Sequence, residues 1–129
     1  NKNFYLIALG IIVLDQITKY LFKGVNFGIF NYTTNTGAAF SLFQGQVNLL
    51  IAISIVVIVF LLIFLFKRPN YWLSLSFILG GTIGNLIDRV YFGHVRDFID
   101  LKVWPIFNIA DSFNVIGVII LIFALWKEK

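Results

Sequence analysis

Five aspartates, Asp15, Asp88, Asp97, Asp100 and Asp111, stand at the ends of apolar segments in a chain whose only other acid is Glu128. A carboxylate beside hydrocarbon is costly, and by default it marks a functional site with a partner to be found. Two carboxylates held together do not both ionise readily, so they share one proton. Such a pair can take a proton from water with one member and deliver one with the other, which is the chemistry of aspartyl peptide hydrolysis. Other chemistries are thinly supplied. There is no cysteine, so thiolate catalysis, disulfides and Cys-based metal sites are excluded. The single His94 has no second His or Cys with which to build a zinc set, which leaves only carboxylates for a hard cation. No metal and no other cofactor is expected.

The elements that must position these acids are membrane spans. The 129 residues are 60% hydrophobic and 12% charged, with a mean hydropathy of +0.92, whereas soluble domains carry roughly 25% charged residues. At about 20 residues per span the length allows four crossings and little else. The net charge of +4 comes from Lys and Arg scattered singly or in pairs. That excludes a nucleic-acid tract and suits an anionic lipid surface.

The spacing predicts spans over about 4–22, 48–66, 71–90 and 108–126, in one integral membrane domain covering 1–129. The first run is broken by Asp15, with no signal-peptide cleavage pattern after it. The second, Leu49 to Phe66, carries no charge, and Lys67-Arg68-Pro69-Asn70 stops it. The third turns small and polar in its second half. Both termini and the 67–70 turn then share one side, and the connections 23–47 and 91–107 share the other with all five aspartates. Lys and Arg count five on each side, so the positive-inside rule does not orient the chain. Partial alternation through Val25, Phe27 and Ile29, then Asn31, Thr33 and Asn35, predicts a small hairpin or sheet between the first two spans. Tyr91, Phe92 and Trp104 fit one interfacial belt, and Tyr71, Trp72 and Trp126 the other.

Each motif has a bland reading beside the chemical one. Asn85, Asp88 and Arg89 fall at i, i+3 and i+4 on one helical face, where Arg89 would keep Asp88 ionised. An ion pair that only fixes helix packing is equally open. Gly80, Gly81 and Gly84 on that helix allow a neighbouring backbone to come close. Asn108 suits the N-cap of the fourth helix, with Asp111 near N3 in a dipole field that favours its carboxylate. Asp97, if crowded against Asp111, is then the member that keeps the proton; the alternative is a capping acid and a solvated loop residue. Asp15 and Lys19 read as an i,i+4 ion pair at the water boundary. Asn35 and Gly37, in Asn35-Thr36-Gly37-Ala38-Ala39-Phe40, form a turn able to hydrogen-bond an extended peptide, or simply a turn. His94 is expected to face water without a role.

Taken in order, five stretches resemble the lipoprotein signal peptidase (signal peptidase II) family. They are Asp15-Gln16-Ile17-Thr18-Lys19, the 35–40 turn, Gly80-Gly81-Thr82-Ile83-Gly84-Asn85-Leu86-Ile87-Asp88-Arg89, Val95-Arg96-Asp97-Phe98 and Phe107-Asn108-Ile109-Ala110-Asp111-Ser112. The resemblance implies an all-α membrane protein, with four transmembrane helices and a small extracytoplasmic β-sheet cradling substrate between helices 1 and 2. It implies a monomeric aspartyl endopeptidase of the bacterial inner membrane, surrounded by membrane lipids, with its site at the outer face and its termini in the cytoplasm. The substrate is a prolipoprotein carrying diacylglycerol on its lipobox cysteine, cut just before that cysteine. By motif match Asp97 and Asp111 become catalytic. Asn35, Asn85, Arg89 and Asn108 orient substrate and dyad, and Asp15, Asp88, Lys19 and Gly37 support the site.

Two features depart from the family's pattern. The connections between motifs are short, and Arg96 stands where an apolar residue is more usual, a cation expected to favour ionised Asp97. Two rivals stay open on sequence. One is a small proton-linked transporter subunit with the aspartates as relay, and the other is a catalytically inactive lipid-binding protein of the same fold.

Overall fold

The computed structural model describes residues 1–38, 40 and 42–128; Ala39 of the 35–40 turn lies outside them. Four long helices form where the apolar runs predict them: α1 (Lys2–Leu21), α2 (Val47–Lys67), α3 (Trp72–Phe92) and α4 (Ile109–Lys127). A single 3-10 turn, Pro69–Tyr71, reverses the chain between α2 and α3, with proline at its start where no amide donor is needed. Three of the helices, α1, α2 and α4, are long and apolar enough to cross a membrane by length and composition. The exception, α3, is the innermost helix and packs against all three others. Its serines, glycines, Asn85 and Asp88 therefore meet protein rather than lipid. By contrast α2, the most apolar, buries only Leu50, Ser54 and Leu61 and touches little but α3.

At one end of the bundle, strands β1 (Asn26–Phe27), β2 (Phe30–Asn35) and β3 (Val95–Ile99) form an antiparallel sheet in that order. Gly28, at φ +61°, takes the first place of the two-residue turn joining β1 to β2, a conformation that side chains with a Cβ resist. The sequence placed the whole sheet between helices 1 and 2. Its third strand comes instead from the α3–α4 connection, pairing Thr33 with Asp97 and Asn35 with Val95. Phe98 stacked on Phe22 (4.8 Å between centroids), with Phe30 also against Phe22 (4.4 Å), seats the sheet on the end of α1.

The core at the opposite end joins Phe4 and Ala8 of α1, Leu61 of α2, and Leu75, Ile78 and Leu79 of α3. Tyr71 is part of it rather than of an interfacial belt. Its ring is buried against Phe64, and its hydroxyl and Arg68 both meet Glu128.

Candidate active site

Polar residues at the sheet end divide into a buried ionic cluster and an open cleft. In the cluster, Lys19 Nζ lies 2.7 Å from Asp15 and 3.1 Å from Asp88, and all three side chains are fully buried. Arg96 grips the same Asp88 with Nη2 (2.8 Å), Nε (3.2 Å) and its backbone N–H (3.0 Å). Gln16 donates to Asp88 and accepts from Arg96. Two acids face two bases, so the cluster is neutral, as burial away from water demands. The Asp15–Lys19 pair is therefore real, but it sits deep inside rather than at the water boundary. The expected partner of Asp88 is also replaced, because Lys19 and Arg96 hold it and Arg89 does not.

From the cluster, hydrogen bonds run outward to the cleft. Lys19 and Asn108 both donate to Asn85 Oδ1 at 3.1 Å, and Asn85 Nδ2 donates to Asp111 at 2.9 Å. Asn108 caps α4 as expected. Its Oδ1 accepts from the Asp111 N–H, and its own N–H donates to the Asp111 carboxylate, a reciprocal capping box. The Asn108 amide also donates to Asp97 at 2.8 Å. One residue thus touches both aspartates. Asp15 completes the frame by accepting from the Ala110 N–H (2.9 Å), which fixes α1 to the first turn of α4.

Strand alternation separates Arg96 from Asp97: the cation turns down onto Asp88, over the Phe92 ring, and Asp97 turns up to the cleft. The expected charge assistance from Arg96 is absent. Burial first, and then the charge of Asp111, push the Asp97 carboxyl up to about 8. Asp97 is 3% exposed, so it is no solvated loop residue.

The cleft, about 580 Å³, is lined by Asn35, Gly37, Asn85, Arg89, Asp97 and Asp111, together with aromatic and apolar residues of the two connections, Phe40 and Trp104 among them. The Asn35 side chain accepts from the Gly37 N–H and from Gln44 and donates to the Ala38 carbonyl, and it also lies close enough to Asp97 to favour that carboxyl's charged form. Asp100 takes no part in the cleft; it accepts from Lys102 and Asn31 at the sheet margin. His94 is half-buried and stacked on Phe92 rather than facing water. Sequence reasoning missed Gln16, Gln44 and Asn114. Asn114 carried a signal, being the lone amide in the run Phe113–Leu125 and one turn from Asp111.

Gly84 makes this packing possible. A Cβ there would sit 2.6 Å from Asp15 Oδ2 and 3.2 Å from Ala110 Cβ. Gly84→Ala is expected to push α1 and α4 off α3, costing about 1–3 kcal/mol of overpacking. A lowered thermal midpoint in detergent, with loss of activity, would register it.

Comparison with known proteins identifies the family and the fold. The profile of the family described as Signal peptidase (SPase) II matches residues 7–127. The chain is 41% identical to the lipoprotein signal peptidase of Halothermothrix orenii, over 97% of this chain and 96% of that protein. It is 44% identical to that of Brevibacillus brevis, over 97% and 95%. Its fold matches a bacterial membrane enzyme solved in meso at 2.3 Å, with a TM-score of 0.90 and 34% identity, covering 98% of this chain and 89% of that one. Motifs, fold and relatives converge, and the chain belongs to the signal peptidase II family.

Proposed function

We propose that the chain is an aspartyl endopeptidase, with Asp97 and Asp111 as the catalytic pair, that releases the signal peptide of a diacylglyceryl-modified prolipoprotein just before its lipidated cysteine. The observation that carries this reading is the convergence of both carboxyl groups, from a strand and a helix 14 positions apart in sequence, on Asn108 at one cleft. The relatives' shared name, lipoprotein signal peptidase, supports the substrate class.

Asp111 accepts hydrogen bonds on both oxygens, from Asn85 and from the Asn108 N–H, and so serves as the base. It takes a proton from water as the oxygen attacks the scissile carbonyl carbon. Asp97 gives its proton to the carbonyl oxygen, yielding a neutral gem-diol. Return of the proton from Asp111 to the nitrogen then accompanies cleavage of the C–N bond, and Asp97 recovers its own from the collapsing diol. Arg89, Asn35, Asn85 and Asn108 orient the peptide and the dyad. Asp15, Asp88, Lys19 and Gly37 hold that frame in place.

The protein works as a monomer and a single membrane domain, in the inner membrane among its lipids, with the cleft outside and both termini in the cytoplasm. A proton relay through the membrane is not favoured. The site acids gather at one end of the bundle, and α2 carries none.

Cleavage of a diacylglyceryl lipobox peptide in detergent tests the proposal; an intact peptide after prolonged incubation with folded protein would overturn it. The pH profile tests the proton assignment. With Asp97 pushed up to about 8 from 3.8, kcat/KM is expected to fall about tenfold per unit above roughly pH 8. The same shift means that the native state holds this proton more tightly than the unfolded chain. The contribution of Asp97 to stability therefore declines as pH rises from about 4 to about 8.

A further inference from the structure

Two side-chain atoms of the cleft are buried without a hydrogen-bond partner among the described residues: Arg89 Nε and Asn114 Oδ1. The unmet Asn114 atom is an acceptor shut away from the cleft, so only the donor end of that amide is open to a ligand, and a donor left unmet at bilayer depth is destabilising. Asn114 follows Asp111 by three residues on α4, so both stand on one helical face. Its Oδ1 is shut against Gly81 of α3, beside the Ala110 carbonyl. Its Nδ2 end makes no hydrogen bond among the described residues and is not one of the buried unpartnered atoms, and the residue lines the cleft.

We infer that Asn114 is a positioning residue that donates a hydrogen bond to a main-chain carbonyl of the signal peptide, on the membrane side of the scissile bond; this rests on the function proposed above. The geometry sets which carbonyl. Three helical residues rise about 4.5 Å, and an extended peptide advances about 3.3 Å per residue. From a scissile carbonyl at the Asp97–Asp111 pair, Asn114 therefore meets the carbonyl one or two residues earlier. The direction follows from α4, which runs from the cleft toward the opposite end of the bundle, the route a signal peptide anchored on the far side must take. Its neighbour Val115 is apolar and offers a peptide side chain no polar contact, so the Asn114 contact fixes the register of the backbone.

The test measures binding apart from chemistry. A fluorescent diacylglyceryl lipobox peptide is titrated in detergent against the Asp97→Asn protein, with and without Asn114→Leu. Asn114→Ala serves as a second variant in case leucine disturbs the seat on Gly81. The peptide carries either all amides or an ester at the first or second bond before the scissile one, whose carbonyl is the poorer acceptor. Kd is expected to rise about tenfold for either Asn114 variant. The ester is expected to weaken binding to Asn114 protein several-fold and to leave the Asn114 variants unaffected. An unchanged Kd in both variants, or an equal ester penalty in all proteins, overturns the inference. Failure of the unsubstituted enzyme to cut the same peptide is a separate outcome. It overturns the proposed function, while the Kd comparison still decides Asn114.

Discussion

Asp97→Asn and Asp111→Asn, made singly, are each expected to lower kcat by about 10³- to 10⁴-fold with the fold intact. Asparagine keeps the size of aspartate and its ability to accept one hydrogen bond. Asp97→Asn therefore retains an acceptor for the Asn108 amide, and Asp111→Asn retains one for Asn85 or the Asn108 N–H. What each loses is a proton site. In Asp111→Asn no base draws the proton from water; in Asp97→Asn no acid protonates the scissile carbonyl. The double variant is expected to be no worse than either single one, because both residues act in one proton cycle. Single-turnover cleavage of a lipidated peptide, alongside thermal unfolding in the same detergent, checks both halves of the expectation. Substantial activity in either single variant would remove that residue from the catalytic pair.

The largest effect on stability is expected from Lys19→Met. Among the described residues Lys19 is the one cation in contact with both Asp15 and Asp88, and none of the three is exposed. Its loss leaves two acids against Arg96 alone, a net buried charge that costs about 3–5 kcal/mol. Asp15 would suffer most, since Arg96 is engaged with Asp88 and Gln16. Pairing Lys19→Met with Asp15→Asn restores neutrality and is expected to recover more than half of the loss, because asparagine can still accept from the Ala110 N–H. Thermal midpoints of the two single variants and the double variant measure this coupling. A double variant no more stable than Lys19→Met would argue against a charge-balanced cluster.

Much of this was legible from local pattern. The uncharged run Leu49–Phe66 specifies α2 by length alone, and Asn108 with Asp111 three residues later spells out a helix start that the structure reproduces in full. Three nearby glycines on α3 announced a tight helix contact, and Gly84 lies where a Cβ would strike Asp15. What stayed hidden was non-local. Five residues of β3 become a strand only because β2, some sixty positions earlier, offers an edge. Arg89 follows Asp88 directly, so it was the natural partner on a helical surface. Arg96 displaces it because the Gly93 turn, at φ +73°, folds the chain back over Asp88. The direction of Arg96, away from its neighbour Asp97, follows from strand pleating, which is invisible until the strand itself is known.

During synthesis, α1 leaves the ribosome well before α3 exists. In the nascent chain its acid and base have only each other, and their four-residue spacing lets them pair on one helical face. The segment can thus enter the bilayer without net charge at that point, whereas a lone acid or base in a spanning helix costs about 2.5–3.5 kcal/mol to insert. Asp88 arrives later and finds Lys19 already within the membrane. The pair that braces the folded protein is thus also expected to lower the cost of inserting its first helix.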